Sequence, residues 1–391
     1  RYVQEFINPL YALNAKIILK RGYRSGNMTD YSLNSKALSI FDKQLYTAQN
    51  DKGIFGRVTD PATIAEIDQL GKLLFYDPIL SGNNQRSCAS CHIPTQYYAD
   101  TVSRTALKFN KMGRLTRNTP STINAGFNHL IMADGKHLTL QEQAVAVMCN
   151  MDEMGSVKGE ILEKVMSCKA YSDALTRLAK LTPQSPKPGI DHIVSAITLH
   201  YGKFSLYDSP FDRAMNKKEE VNQEVVLGYN LFMSKAQCAT CHFVPQFNGV
   251  KPPYVGSEFE VLGVPEDTNF IKLSSDSGRY YINPAFETFR AFRTGTIRNA
   301  SKTAPYMHNG VFRTLTEVVQ FYNNGGAQGR GLQLENQTLS GDKLGLTEYE
   351  IRCLVLFMES LTENIVFEPA PEQLPKSKKK TLNNRIVGGN Y

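Results

Sequence analysis

The apolar residues of this chain fall in short blocks at helical spacing, separated by long stretches rich in Gly, Pro, Asn and Ser such as 183–189 and 248–256. That pattern predicts a mainly α protein with long irregular loops. Two blocks share their wording: Leu70-Gly71-Lys72-Leu73-Leu74-Phe75 and Leu227-Gly228-Tyr229-Asn230-Leu231-Phe232. The likeness continues downstream. Arg117-Asn118 matches Arg298-Asn299, Asp134-Gly135 matches Asn309-Gly310, and Thr139-Leu140-Gln141-Glu142 matches Thr314-Leu315-Thr316-Glu317. Thr-x-x-Glu ahead of an apolar run is a capping box, so each half is expected to start a helix at the equivalent point. Repetition of this kind indicates a tandem duplication, with halves at 61–220 and 221–365. Thr347 to Leu361 reads as a closing helix capped by Thr347 and Glu350, and Leu10 to Leu19 as an amphipathic helix inside an N-terminal extension, 1–60, of unread role.

Composition narrows the class. With 41% hydrophobic and 21% charged residues the chain is not a disordered one. Its longest purely apolar runs, such as Cys353 to Met358, fall far short of the roughly 20 residues a membrane-spanning helix needs, so no transmembrane segment is expected. No charged-then-apolar leader stands at Arg1, so a leader is expected to have been removed or to lie upstream. Much of the net charge of +7 comes from Lys376, Lys378, Lys379, Lys380 and Arg385. Residues 366–391 therefore read as a basic, solvated tail over a nearly neutral body, and no nucleic-acid partner is expected.

Candidate chemistry lies in the cysteines. Four of the seven occur in Cys88-Ala89-Ser90-Cys91-His92 and Cys238-Ala239-Thr240-Cys241-His242, both of the form C-x-x-C-H. This is the attachment pattern of a c-type haem. Two thiols one helical turn apart reach the two vinyl groups on one porphyrin edge, and the adjacent His becomes the proximal iron ligand. A zinc site or a redox dithiol requires neither the His after each pair nor so wide a separation of the pairs. The expected architecture is thus mainly α, with two tandem cytochrome c-like haem domains and long irregular loops. Haem of this type is attached outside the cytoplasm, which implies a periplasmic location. Cys149 and Cys168 are either one disulfide in that compartment or, with Cys353, buried thiols.

Both pentads, Arg117-Asn118-Thr119-Pro120, Thr303-Ala304-Pro305-Tyr306-Met307-His308-Asn309-Gly310 and Glu153-Met154 together resemble the bacterial di-haem cytochrome c peroxidases and their relative MauG, over about residues 61 to 365. The resemblance implies that the N-terminal haem, ligated by His92, meets hydrogen peroxide while the C-terminal haem, ligated by His242, handles electrons. Glu153 matches the distal acid-base glutamate and Gln143 the pocket glutamine. The distal His of the peroxidases has no counterpart, because 93–116 contains no His. Asn110 stands near its position and Met112 is a poor substitute, so the first haem is expected to be open without reductive activation. For the second haem, counting along the matching helix reaches Tyr322 as distal ligand, with Met307 as the competing candidate and His308 structural. Ala133 in Met132-Ala133-Asp134-Gly135 stands where the family has the Trp between its haems, and this chain has no Trp at all. A calcium ion is implied at Asn118 and the carbonyls of Thr303 and Pro305, hard oxygen donors suited to it.

Three functions follow from this reading. The first is a peroxidase reducing hydrogen peroxide to water with electrons from a small cytochrome c or a copper protein. The second is a MauG-like enzyme that uses peroxide to oxidise a protein substrate, favoured by Tyr322 and the missing distal His and opposed by Ala133. The third is a di-haem electron carrier, against which Glu153 beside an open iron position argues.

Overall fold

The computed structural model of the chain describes residues 2–23, 37, 39–43, 45, 48–216, 219–251 and 256–390. Among the described residues, ten α-helices alternate with long loops: α1 (Asn8–Arg21), α2 (Pro61–Tyr76), α3 (Leu140–Cys149), α4 (Lys158–Met166), α5 (Lys169–Ala179), α6 (Ile190–Gly202), α7 (Pro210–Met215), α8 (Gln223–Phe232), α9 (Leu315–Asn323) and α10 (Glu348–Ser360). Strands are short: β1 (Val250–Lys251) pairs antiparallel with β2 (Gly256–Ser257), and β3 (Phe259–Glu260) with β4 (Phe292–Arg293). No helix among the described residues is long and apolar enough to cross a membrane.

The chain divides into two compact units. The one holding the first pentad consists of Asn50–Gly126, His137–Ser205 and Ile365–Tyr391, and the one holding the second consists of Arg1–Gln49, Phe127–Lys136 and Leu206–Asn364. Residues 127–136 and 206–220, which linear halves would assign to the first unit, thus belong to the second.

In the first unit α2 packs on α6. Asp60 caps α2 by accepting from Thr63 N at 2.8 Å, and Pro61 follows at the first helical position, where its missing N–H costs nothing. Ile67, Leu70, Leu74 and Phe75 of α2 and Ile193, Val194, Ala196 and Ile197 of α6 are all buried as the two helices pack. Each such side chain contributes about 1.5–3 kcal/mol. Gly71 makes the approach possible, since a Cβ there would lie 2.0 Å from Ala196 O.

The second unit repeats the device. Here α8 packs on α10, and a Cβ on Gly228 would lie 2.0 Å from Cys353 O. Around them Phe211, Phe232, Phe247 and Phe357 form an aromatic core with ring centroids 5.2–5.8 Å apart, mostly edge to face. Three helix starts follow the expected chemistry. Thr139, Thr314 and Thr347 accept from the backbone N–H groups of Glu142, Glu317 and Glu350. Glu317 and Glu350 return the bond to their caps, whereas Glu142 reaches one residue further, to Leu138 N at 3.1 Å. The helix expected at Leu10–Leu19 is present as α1, with Leu10, Leu13 and Ile17 exposed.

The C-terminal segment corrects the reading of a solvated tail. Lys378 N donates to Ser167 O at 3.0 Å, Gly388 N to Tyr76 O at 2.8 Å and Asn390 N to Gln85 O at 2.7 Å. Arg385 is buried against Asp77, and Phe367 lies 5.2 Å from the Tyr97 ring. The charge run misleads because its lysines do stay outside, while Ser377, Leu382 and the Arg385 side chain face inward.

Candidate haem-binding sites

Both pentads fold as a 3-10 turn followed by a reversal. In the first, Ser87 precedes the turn Cys88–Ser90, and its N–H donates to Ser90 Oγ at 2.9 Å. Cys91 N and His92 N both donate to Cys88 O, at 3.2 and 2.9 Å. The chain then turns back through Tyr97 and Tyr98, both left-handed with φ near 55°, so that Tyr98 O meets His92 Nδ1 at 3.2 Å. The second pentad repeats this with the turn Cys238–Thr240, His242 N donating to Cys238 O at 3.0 Å, and Phe247 at φ 51° directing its carbonyl to His242 Nδ1 at 3.0 Å.

A carbonyl at Nδ1 forces the proton onto that nitrogen and leaves the Nε2 lone pair for a metal, the usual outer-shell device for a histidine ligand. Loss of water around both rings pulls their pKa values down and keeps the imidazoles neutral, as ligation requires. No disulfide joins any of the cysteines, which decides between a Cys149–Cys168 bridge and unpaired cysteines in favour of the latter. Burial pushes the Cys88, Cys238 and Cys241 thiols up to about 12, the opposite of a reactive dithiol, which needs a depressed pKa. Among the described residues no three His, Cys, Asp or Glu side chains gather as an ion-binding group. Two thiols a turn apart beside a neutral, oriented imidazole fit covalent haem at both places.

Glu153 lies half-buried in the turn after α3, its Oε2 accepting from Asn150 Nδ2 at 2.7 Å. Its backbone carbonyl accepts from Arg86 Nη1 at 2.7 Å, and Arg86 stands two residues before Cys88, so this turn and the first pentad belong to one packed block. Gln143 is half-exposed on α3. Asn118 belongs to the first unit, where its Nδ2 donates to Arg104 O at 3.0 Å, while Thr303 and Pro305 belong to the second.

Tyr322 lies in the last turn of α9. Burial raises its phenol pKa, and the nearby Cys238, Cys241 and Glu260 raise it further. Met307 instead packs with Val264, Val311, Phe312 and Phe321. His308 stacks on the Phe292 ring at 3.7 Å and bonds Ser274 Oγ through Nε2 at 2.9 Å. The segment around Ala133 is gripped by its carbonyls: Arg293 N donates to Ala133 O at 2.7 Å, Arg293 Nε to Met132 O at 3.2 Å and Arg279 Nη1 to Asp134 O at 2.8 Å. Gly135, at φ 67°, sits where a Cβ would strike the Phe259 ring at 2.4 Å. Sequence reasoning missed Arg86, Arg279 and Arg293, which bond distant backbone carbonyls and, for Arg293, also Asn128 Oδ1 at 2.6 Å, and leave no motif.

The fold and the paired sites define a tandemly duplicated c-type haem protein. The family profile for di-haem cytochrome c peroxidase matches residues 65–220. The chain is 30% identical over 311 residues to the methylamine utilization protein MauG of Methylorubrum extorquens, covering 78% of this chain and 80% of that protein. It is also 30% identical over 302 residues to cytochrome c551 peroxidase of Nitrosomonas europaea, covering 76% and 80%. Among solved structures, a MauG-like protein associated with microbial copper homeostasis aligns with a TM-score of 0.63 at 26% identity, covering 76% of this chain and 90% of that one. The chain belongs to the di-haem cytochrome c peroxidase family, and it is an oxidoreductase of the cytochrome c peroxidase type.

Proposed function

We propose that this protein reduces hydrogen peroxide to water at the first haem unit, consuming two protons and two electrons per peroxide. Electrons enter through the second unit from a small cytochrome c or copper protein in the periplasm. The observation that carries the reading is the Arg86 link, which joins the Glu153 turn to the first attachment loop. The haem supplies the iron centre for peroxide and electron exchange; the protein supplies orientation and proton handling. His92 and His242 present Nε2 as ligands because Tyr98 O and Phe247 O hold their Nδ1 protons. Glu153 takes a proton from the near peroxide oxygen and returns it to the far one, with Asn150 Nδ2 steadying Oε2. Gln143 shares this pocket. A calcium ion would take the Asn118 side-chain oxygen, whose amide Nδ2 is engaged by Arg104 O, as a hard donor.

The nearness of Tyr322 to the second pentad favours a second reading, in which peroxide oxidises a protein substrate as in a MauG-like enzyme. Donor-dependent and protein-dependent peroxide consumption separate the two. For either, Glu153→Gln is expected to slow peroxide turnover by about 10²–10⁴-fold with both haem spectra retained. Turnover within twofold of wild type, roughly the scatter of such assays, would remove Glu153 from the mechanism.

A further inference from the structure

We propose that Arg86 is a positioning residue that holds the Glu153 turn in register with the first attachment loop, a role that rests on the acid-base reading of Glu153. Arg86 is 5% exposed. Its guanidinium donates to three backbone carbonyls on two segments: Nη1 to Leu107 O at 3.1 Å and Glu153 O at 2.7 Å, and Nη2 to Lys108 O at 3.0 Å. Its own backbone is pinned as well, Arg86 N donating to Ser81 Oγ at 3.1 Å and the residue pairing across an antiparallel bridge with Gly389.

The turn is stitched on either side of Glu153. Phe109 N donates to Asp152 O at 2.7 Å and Gly82 N to Met154 O at 2.8 Å. Gly155, at φ 58°, lies under the Phe109 ring, where a Cβ would approach to 2.5 Å. The backbone carbonyls of residues 152, 153 and 154 are therefore each tied to a different stretch of the surrounding chain, and the one at Glu153 is held by the Arg86 side chain. A planar guanidinium can address carbonyls in two directions at once, which the single ammonium of Lys cannot. Because Cys88 follows Arg86 by two residues, the same side chain fixes the spacing between the carboxylate and the haem-attachment thiols. Proton transfer is sensitive to such spacing, a displacement of about 1 Å being worth up to roughly a hundredfold in rate.

The test compares Arg86→Lys, Glu153→Gln and the double variant as holoproteins whose Cys88 and Cys91 peptides carry haem by mass. Amide hydrogen exchange of the Arg86→Lys protein is expected to quicken about tenfold in peptides spanning 105–112 and 150–156 and to stay unchanged in 238–248. Its bimolecular rate with hydrogen peroxide is expected to fall about ten- to a hundredfold, with no further fall when added to Glu153→Gln. An Arg86→Lys protein as fast as wild type beside a slow Glu153→Gln protein overturns the positioning role alone, as does full additivity in the double variant. A Glu153→Gln protein as fast as wild type overturns both readings. Should Arg86→Lys fail to fold, Arg86→Gln, whose short uncharged amide cannot bridge both carbonyl segments, carries the same two readouts with the same expected directions.

Discussion

Arg385 closes on Asp77 across 308 residues of chain, Nε to Oδ1 at 2.6 Å and Nη2 to Oδ2 at 3.1 Å, with the two side chains 2% and 0% exposed. The same carboxylate caps Ile79 N and accepts from Tyr171 OH at 2.9 Å, so Arg385 completes a buried hub at the C-terminal end of α2. Removing one partner of a buried pair leaves an uncompensated charge. Arg385→Met is therefore expected to cost about 3–5 kcal/mol in chemical denaturation of the holoprotein. Lys378→Ala and Lys380→Ala, on the same segment but exposed, are expected to stay within about 0.5 kcal/mol of wild type. A loss at Arg385 no larger than at these lysines would show that the C-terminal segment does not stabilise its unit.

Asp212 and Arg298 form the corresponding buried pair of the second unit, two bonds of 2.8 Å with the guanidinium 3.9 Å from the Tyr207 ring. Burial works to raise the Asp212 carboxyl, but the Arg298 bonds and charge and the Ser209 bonds outweigh it and hold the pKa below the usual value. A depressed acid contributes stability above its unfolded pKa of about 3.9 and loses it as pH falls through the folded value. Asp212→Asn is thus expected to be markedly less stable than wild type at neutral pH, by about 3–5 kcal/mol, with the gap closing below about pH 4. Unfolding free energies at acid and neutral pH check this, and a gap constant with pH would contradict it.

Gly71 and Gly228 occupy equivalent places in the two repeats, each admitting the backbone of a partner helix. Alanine at either is expected to destabilise its unit by about 1–3 kcal/mol through overpacking. Gly159, on α4 with nothing within 4 Å of a Cβ, gives the opposite sign, a gain of roughly 0.4–1 kcal/mol from lost unfolded-state freedom. Thermal unfolding of the three variants decides whether close helix approach or glycine content sets the effect.

Tyr322 and Met307 are separated by their surroundings, the first beside the Cys238 and Cys241 thiols and the second in an apolar cluster. Tyr322→Phe is expected to change the optical and electron paramagnetic resonance signature of one haem only. Met307→Leu is expected to leave both signatures unchanged and to cost less than about 1.5 kcal/mol. The reverse pattern would transfer the ligand role to Met307.

The amino-acid sequence by itself determined whatever depends on neighbours within a few positions. The two Cys-x-x-Cys-His turns, the Thr caps at 139, 314 and 347 and the length of α9 up to Tyr322 were all legible because their bonds run between residues at most six apart. The repeat was legible for the same reason, as local wording written twice. Only the tertiary structure decided that 127–136 is held by Arg279 and Arg293 within the second unit, that Arg385 returns to Asp77, and that Arg86 ties the Glu153 turn beside Cys88. These arginines grip carbonyls or a carboxylate dozens to hundreds of residues away. A backbone carbonyl has no residue identity to read, and a lone acid in a helix C-cap looks like any surface acid until burial removes its water. Where a bond is local the residue pair names it; where it is long-range, the path of the chain chooses the partner.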